Sequence, residues 1–340
     1  MVNQKYSFLY KFWHTNRFKN NLGISLTELL VTIVIGGIAI SGLLAAMVEL
    51  LRTDQQEAAR EETQQEMQAA LSFIAEDLRE SVYVYDGTQT RNTSPTDNTQ
   101  VSHNVLSKLP NFGTGVTSII VFWKAEQLSA TQLSTLQSMN CNSFATTPVD
   151  KKAECENLKL KRRAYSLVVY LQSTVSDPQW KGKSRILRYE LPKYVSTTSG
   201  FASLTHSTGF VDPGENNNFP TWPFDSNGND LQGGTLPTLA QSPPEVLVDF
   251  VDAPNSTAAS VPDCPSTNYS RLPSNATSSN SFFTCVRTIG NALGRNQDII
   301  LYLRGNAEGK GGTIDKNYLP TQQTSVTLRG VIDKFTPNGT

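Results

Sequence analysis

Glu28 is the residue most exposed to electrostatic conflict. It stands at the threshold of an apolar run, Leu29–Val48, that holds no charged residue. A carboxylate entering hydrocarbon must find a partner or lose its charge, so an acid in such a place is read as functional by default. Gly23 precedes it by five residues, across the bridge Ile24-Ser25-Leu26-Thr27. A cation at the same depth would attract it strongly once both charges are desolvated together.

Elsewhere, residues able to do chemistry are sparse. The three histidines, His14, His103 and His206, belong to no His-Glu-x-x-His helix. There is no Gly-x-Ser-x-Gly elbow and no phosphate-binding loop, so no enzyme is expected. The segment Asp225-Ser226-Asn227-Gly228-Asn229-Asp230 clusters oxygen ligands around a glycine, as a calcium loop does. It lacks the downstream bidentate glutamate of an EF-hand. Asp225, Asn227 and Asp230 are thus candidate calcium ligands with a solvated turn as the simpler reading, and no other cofactor is implied. The four cysteines, Cys141, Cys155, Cys264 and Cys285, all follow the apolar run. In an oxidising compartment an even count suggests disulfides. Proximity suggests Cys141 with Cys155 and Cys264 with Cys285, although four cysteines permit three connectivities. A four-cysteine zinc site competes, but the tight Cys-x-x-Cys knuckles of zinc ribbons are missing.

The element that positions Glu28 is a helix. Lys5, Lys11, Arg17 and Lys19 lie upstream of it with no acidic residue among them, which keeps that side cytoplasmic. The apolar run has the length of about 20 residues that crosses a bilayer. A secretory signal peptide has a shorter core and a small-residue cleavage site after it. A plain signal anchor explains the span and the charges but leaves Gly23 and Glu28 unconnected. Gly36, Gly37 and Gly42 each lower helix propensity by about 1 kcal/mol and permit close helix packing in lipid.

Basic leader, glycine, short bridge, glutamate and apolar helix together resemble the class III signal of type IV pilins and type II secretion pseudopilins. The resemblance implies that a prepilin peptidase cuts after Gly23 and methylates Ile24, at a position where phenylalanine is usual. It also implies that Glu28 pairs with the new α-ammonium of a neighbouring subunit and sets register, with a pair inside one chain as the alternative. The stretch Leu71–Arg79 looks like the end of the long helix in J-type minor pseudopilins. The long loops, the cysteine pairs and the Ile300–Gly305 run are most similar to cyanobacterial pseudopilins tied to hormogonium polysaccharide secretion.

On this reading residues 1–23 are a leader and 24–51 a transmembrane helix. Residues 52–85 continue the helix amphipathically, and 86–340 form a loop-rich periplasmic domain. The implied function is a minor pilin or pseudopilin in an envelope-spanning filament for secretion or motility. Implied partners are the prepilin peptidase, other pilins through the N-terminal helix, the inner-membrane assembly platform, and an exported polysaccharide or protein cargo. A membrane-anchored adhesin or carbohydrate-binding module is the alternative of a different class.

Ala58, Met67, Ala70, Leu71, Ile74 and Leu78 recur near helical spacing and predict a stripe that lies on a sheet. Strand-like runs follow at Val116–Trp123, Ala164–Leu171, Ser184–Leu191, Glu245–Val251, Phe282–Thr288, Asp298–Leu303 and Ser325–Arg329. Tyr165, Leu167, Val169 and Leu171 share one face, predicting a half-buried antiparallel sheet. One helix followed by many strands is α+β, here pilin-like with long insertions. Residues 86–115, 192–244 and 252–281 read as loops. The last two are where selective contact is expected, with Trp222, Trp180 and Phe224 as candidate aromatic contacts. With 29 basic and 30 acidic residues the net charge is −1, and no clustered basic face suggests nucleic acid.

Overall fold

The computed structural model describes residues 23, 25–87, 105–144, 151–214, 219–225, 227–256, 261–273, 280–288, 297–310 and 319–328. The chain divides into two compact units, up to Asp54 and from Gln55 onward. The helix α1 (Leu26–Arg79) contributes residues to both.

In the first unit every residue of α1 is exposed except the half-buried Gly36. Ile35, Ile38 and Leu43 are 61%, 70% and 73% exposed. By length and composition this stretch is apolar enough to cross a membrane. Its hydroxyls satisfy themselves locally: Thr32 Oγ1 donates to the Glu28 carbonyl at 2.8 Å and Ser41 Oγ to the Gly37 carbonyl at 2.7 Å. That economy suits lipid, where no water would serve them.

The second unit is α+β. From Gln55, α1 buries Ala59, Thr63, Met67, Ala70, Leu71, Ile74, Ala75 and Leu78. Ala58, expected in the stripe, is exposed; it lies nine residues from Met67, about two and a half turns, and so on the opposite side. The helix stops at Arg79, and Ser81–Val84 forms strand β1 rather than the helical continuation expected to residue 85. Val82, Tyr83 and Val84 favour a pleated, half-buried surface.

Strands β1, β2 (Val116–Gln127), β3 (Arg163–Ser173), β4 (Ser184–Pro192) and β5 (Glu245–Val251) form one antiparallel sheet in that order. Strands β6 (Tyr269–Leu272), β7 (Phe282–Arg287), β8 (Asp298–Leu303) and β9 (Gln322–Thr327) form a second. Three helices escaped the sequence reading: α2 (Ala130–Ser138), α3 (Lys151–Lys161) and the short α4 (Thr198–Ala202). Strand β6 lies inside the segment read as the loop 252–281. Most of the expected loop 86–115 lies outside the described residues.

One core unites α1 with both sheets, through Met67, Ile74, Phe122, Val168, Ile186, Phe282 and Leu301 among others. Buried polar groups tie the sheets at two places. Arg304 Nε donates to Asp252 at 2.9 Å, both residues being almost fully buried. The Gln297 amide accepts from the Val84 amide at 3.3 Å and donates to its carbonyl at 3.0 Å.

The first sheet is not half-buried. Val168 and Tyr170 face the core beneath α1, while Leu167, Val169 and Leu171 enter a second cluster with Trp123, Phe210, Phe219 and Trp222. The insertion 192–244 supplies the last three, and so covers a face that would otherwise meet water. At the β3–β4 hairpin, the amides of Lys181 and Gly182 donate to Asp249 at 2.9 and 3.0 Å. A Cβ on Gly182 would lie 2.3 Å from the Phe250 nitrogen, which is why the hairpin carries glycine there.

Candidate functional site

The N-terminal motif has a simple geometry. Gly23 is exposed, and a Cβ added there would meet nothing within 4 Å. Ile24 lies outside the described residues. Glu28 occupies the first turn of α1, where the unpaired amides favour an anion. Among the described residues its carboxylate has no ion-pair partner.

Asp77, in the last turns of the same helix, is its opposite. It is 5% exposed. Lys124 Nζ donates to one oxygen at 2.9 Å; Arg188 Nε and the Tyr170 hydroxyl donate to the other at 2.9 and 2.8 Å. Burial alone would raise this carboxyl, but Arg188 and Lys124 hold it below the usual range. The helix end is thereby pinned to β2, β3 and β4. Lys124 also pairs with Glu80 at 2.9 Å, and Arg188 with Glu190.

A second ionic cluster fixes α3. Glu154 Oε1 receives the Lys193 ammonium at 2.8 Å, the Tyr194 hydroxyl at 2.8 Å and His206 Nε2 at 2.7 Å. Lys193 also meets Asp212 at 2.6 Å. Against the upward push of burial, His206 and Lys193 bring the Glu154 carboxyl down to about 2. His206 therefore serves an ion network, while His103 lies outside the described residues. Beside Glu154, Cys155 is bonded to Cys141. The other disulfide joins Cys264 to Cys285 on β7, so each bond links sequence neighbours.

The Asp225 loop is closed by its own hydrogen bonds. Asp225 Oδ1 accepts the amides of Asn227 and Asn229, both at 2.8 Å, and Oδ2 accepts the Asn229 side chain at 2.9 Å. Asp230 instead pairs with Lys108 at 2.7 Å. Among the described residues no group of three or more His, Cys, Asp or Glu side chains is placed to hold a metal.

The aromatic residues expected as contacts divide. Trp222 is fully buried, its indole nitrogen donating to the Val211 carbonyl at 2.8 Å and its ring 5.4 Å from that of Trp123. It packs the domain and is withdrawn as a surface contact. Phe224 is half-buried, with the Lys108 ammonium 4.9 Å from its ring centre. Trp180 is half-buried in an apolar groove of about 570 Å³ that also receives Phe73, Leu247 and Phe250.

A second concavity, of about 400 Å³, opens between α2, α4 and the ends of β2, β3 and β4. Its walls include Glu126, Tyr165 and Ser166. Glu126 is an exposed residue, yet desolvation of its carboxyl and a hydrogen bond to Glu190 raise it to about 7. No motif marks this pocket in the sequence, because its walls come from segments as far apart as Glu126 and Phe201.

No protein-family model, no curated protein and no solved structure matches this chain. Roles for these residues therefore rest on their own chemistry.

Proposed function

We propose that the chain is a minor, J-like pilin or pseudopilin. It is processed after Gly23 and inserted with its N-terminus cytoplasmic and its β domain periplasmic. It then assembles through its N-terminal helix into an envelope-spanning filament that serves secretion or motility. The observation that carries this reading is the composition of α1. Its first part exposes apolar side chains on every side with Glu28 in the first turn, while its later part is the core helix of an α+β domain. A helix apolar all round requires lipid or other helices around it, and Glu28 then requires a cation at its own depth. The α-ammonium of a processed neighbour answers that need. The protein works by packing, and exported polysaccharide or protein is the cargo that its filament would move.

The test is the mass of the N-terminal peptide from native membranes, with and without prepilin peptidase. A chain beginning at N-methylated Ile24 only when the peptidase is present supports the reading. Intact residues 1–23 in both strains would make this an ordinary anchored domain. Glu28→Ala is expected to be inserted and cleaved normally while its recovery in sheared filaments drops at least ten-fold.

A further inference from the structure

Two open sheets leave four edge strands, β1, β5, β6 and β9, and three of them are closed. On β1 the Val84 amide and carbonyl are both taken by the Gln297 side chain, at 3.3 and 3.0 Å. On β5 the Phe250 carbonyl accepts from the Asn306 amide at 2.8 Å, and the Asp252 amide just beyond donates to the Arg304 carbonyl at 3.0 Å. Strand β6 has four residues, and a Cβ on Gly87 would lie 2.9 Å from the Ser270 Cβ. A short or covered strand is a blunted edge. Strand β9 is different. The Leu328 amide donates to the Gln297 carbonyl at 2.8 Å, in step with the register that sets Thr327 opposite Asp298. By antiparallel alternation Gln322, Thr324 and Val326 turn their amides and carbonyls toward β8, while Gln323, Ser325 and Thr327 turn theirs outward. Among the described residues nothing bonds to those outward groups. The six residues of β9 include no charge and no proline, and their register with β8 is unbroken, so the usual guards against a further strand are missing.

A row of unpaired amides and carbonyls at strand spacing is matched by another extended backbone about 4.8 Å away, which makes the ligand a polypeptide. Charge narrows the choice. Gln322 Nε2 donates to the Gln64 carbonyl at 3.2 Å, so β9 starts beside that turn of α1. Glu57, Glu61 and Gln64 stand at i, i+4 and i+7 and share one helix face. Both glutamates are exposed, and among the described residues neither has an ion-pair partner. We propose that β9 takes up an extended segment of another protein as an antiparallel fifth strand. The segment is uncharged along the strand and basic at its C-terminal end, which lies toward Glu61 and Glu57. A second copy of this chain fits less well. Strand β9 runs in the direction of the helix, from Gln64 toward Gln297, which holds Val84 just past the helix end. Two β9 edges paired antiparallel would therefore set the later parts of two α1 helices in opposite directions, against the common direction of subunits in a filament. That exclusion rests on the filament reading, whereas the open edge does not.

Full-length protein in phosphatidylcholine nanodiscs would be titrated against a fluorescent peptide by polarisation, with empty nanodiscs as the blank. The probe alternates threonine and valine over seven residues and ends in two lysines. It is expected to bind with sub-millimolar affinity. Methylating alternate backbone nitrogens, on the edge that would face β9, should weaken it at least ten-fold, because each methyl removes a main-chain donor. Replacing the two lysines by glutamates should weaken it several-fold, and Glu57→Gln with Glu61→Gln should erase that preference. Ser325→Pro deletes one outward amide and spares the ladder to β8, a place where an edge strand accepts proline. It should cut binding at least ten-fold with Tm unchanged. Strand addition is overturned if the probe does not bind, if the N-methylated peptide binds equally well, or if Ser325→Pro leaves binding intact. Two further results would give the edge to a different occupant and overturn the assignment to another protein. One is self-association of the wild type that Ser325→Pro abolishes; the other is a chain ending at Leu328 that binds the probe at least ten-fold more tightly than the full chain. None of these readouts requires cleavage after Gly23 or filament assembly, so failure here and failure of the filament reading are distinguishable.

Discussion

The two parts of α1 put the same backbone to opposite uses. From Leu29 to Val48 it carries no charge and none of its side chains is buried; from Gln55 a stripe is buried and the other face is polar. Glu28 and Asp77 repeat the contrast in a single residue type. Asp77 is surrounded by two cations and a phenol of its own chain, whereas Glu28 has no such company among the described residues. Asp77 closes an interface between the helix and the first sheet, whereas no described residue closes one around Glu28.

The sharpest way to break this contrast is to remove Asp77. Asp77→Ala leaves Lys124 and Arg188 without their shared partner, and deleting one side of a buried pair costs about 3–5 kcal/mol. Urea denaturation of the detergent-solubilised chain reads the loss. A change under about 1 kcal/mol would mean that Glu80 and Glu190 already suffice for both cations. Next comes a pair of matched truncations. Ile74 is fully buried, so Ile74→Ala should cost about 2–5 kcal/mol, whereas Ile35→Ala should stay within about 0.5 kcal/mol. Equal effects would erase the distinction between the two parts of the helix.

Acid–base behaviour sharpens the picture within the second unit. Glu154, at about 2 when folded, lies below the ordinary carboxylate value. Its stabilisation is present above about pH 4.5 and lost as pH falls toward 2. Glu126, at about 7, lies above the ordinary value, so its stabilisation is present below about pH 4.5 and lost as pH rises through 7. Tm against pH should thus decline on both sides, and Glu126→Gln should remove only the alkaline decline. The smallest effect is expected at the Asp225 loop. Asp225→Ala should leave Tm unchanged with or without calcium, and a calcium-dependent rise in the wild type that the variant lacks would make the loop a cation site.

Strands with strong local signals were legible. Glu245–Val251 and Asp298–Leu303 have the limits expected from their alternation. The end of α1 was not, because Ser81–Val84 continues an apolar pattern while changing its period from helix to strand. Burial of β3 on both faces had a visible signal, the unbroken run Leu167–Leu171, which exceeds the alternation of a half-exposed strand. Asp77 lies in the last turns of α1, but its importance depends on Lys124 and Arg188, residues far along the chain. The concavity beside α2 and α4 had no such trace, since short helices such as α4 leave little periodicity to read.

Sequence alone determined the apolar span, the Gly23–Glu28 spacing, the α+β class and most strand positions, because each is a pattern among near neighbours that hydrophobic burial and backbone geometry impose locally. Tertiary structure decided which acids are satisfied, that Trp222 packs inward, that the insertion 192–244 covers the second face of a sheet, and that Glu190 lies beside Glu126 and raises its carboxyl. Those outcomes depend on distances between residues remote in the chain, and only folding brings such residues close enough for desolvation and charge to act.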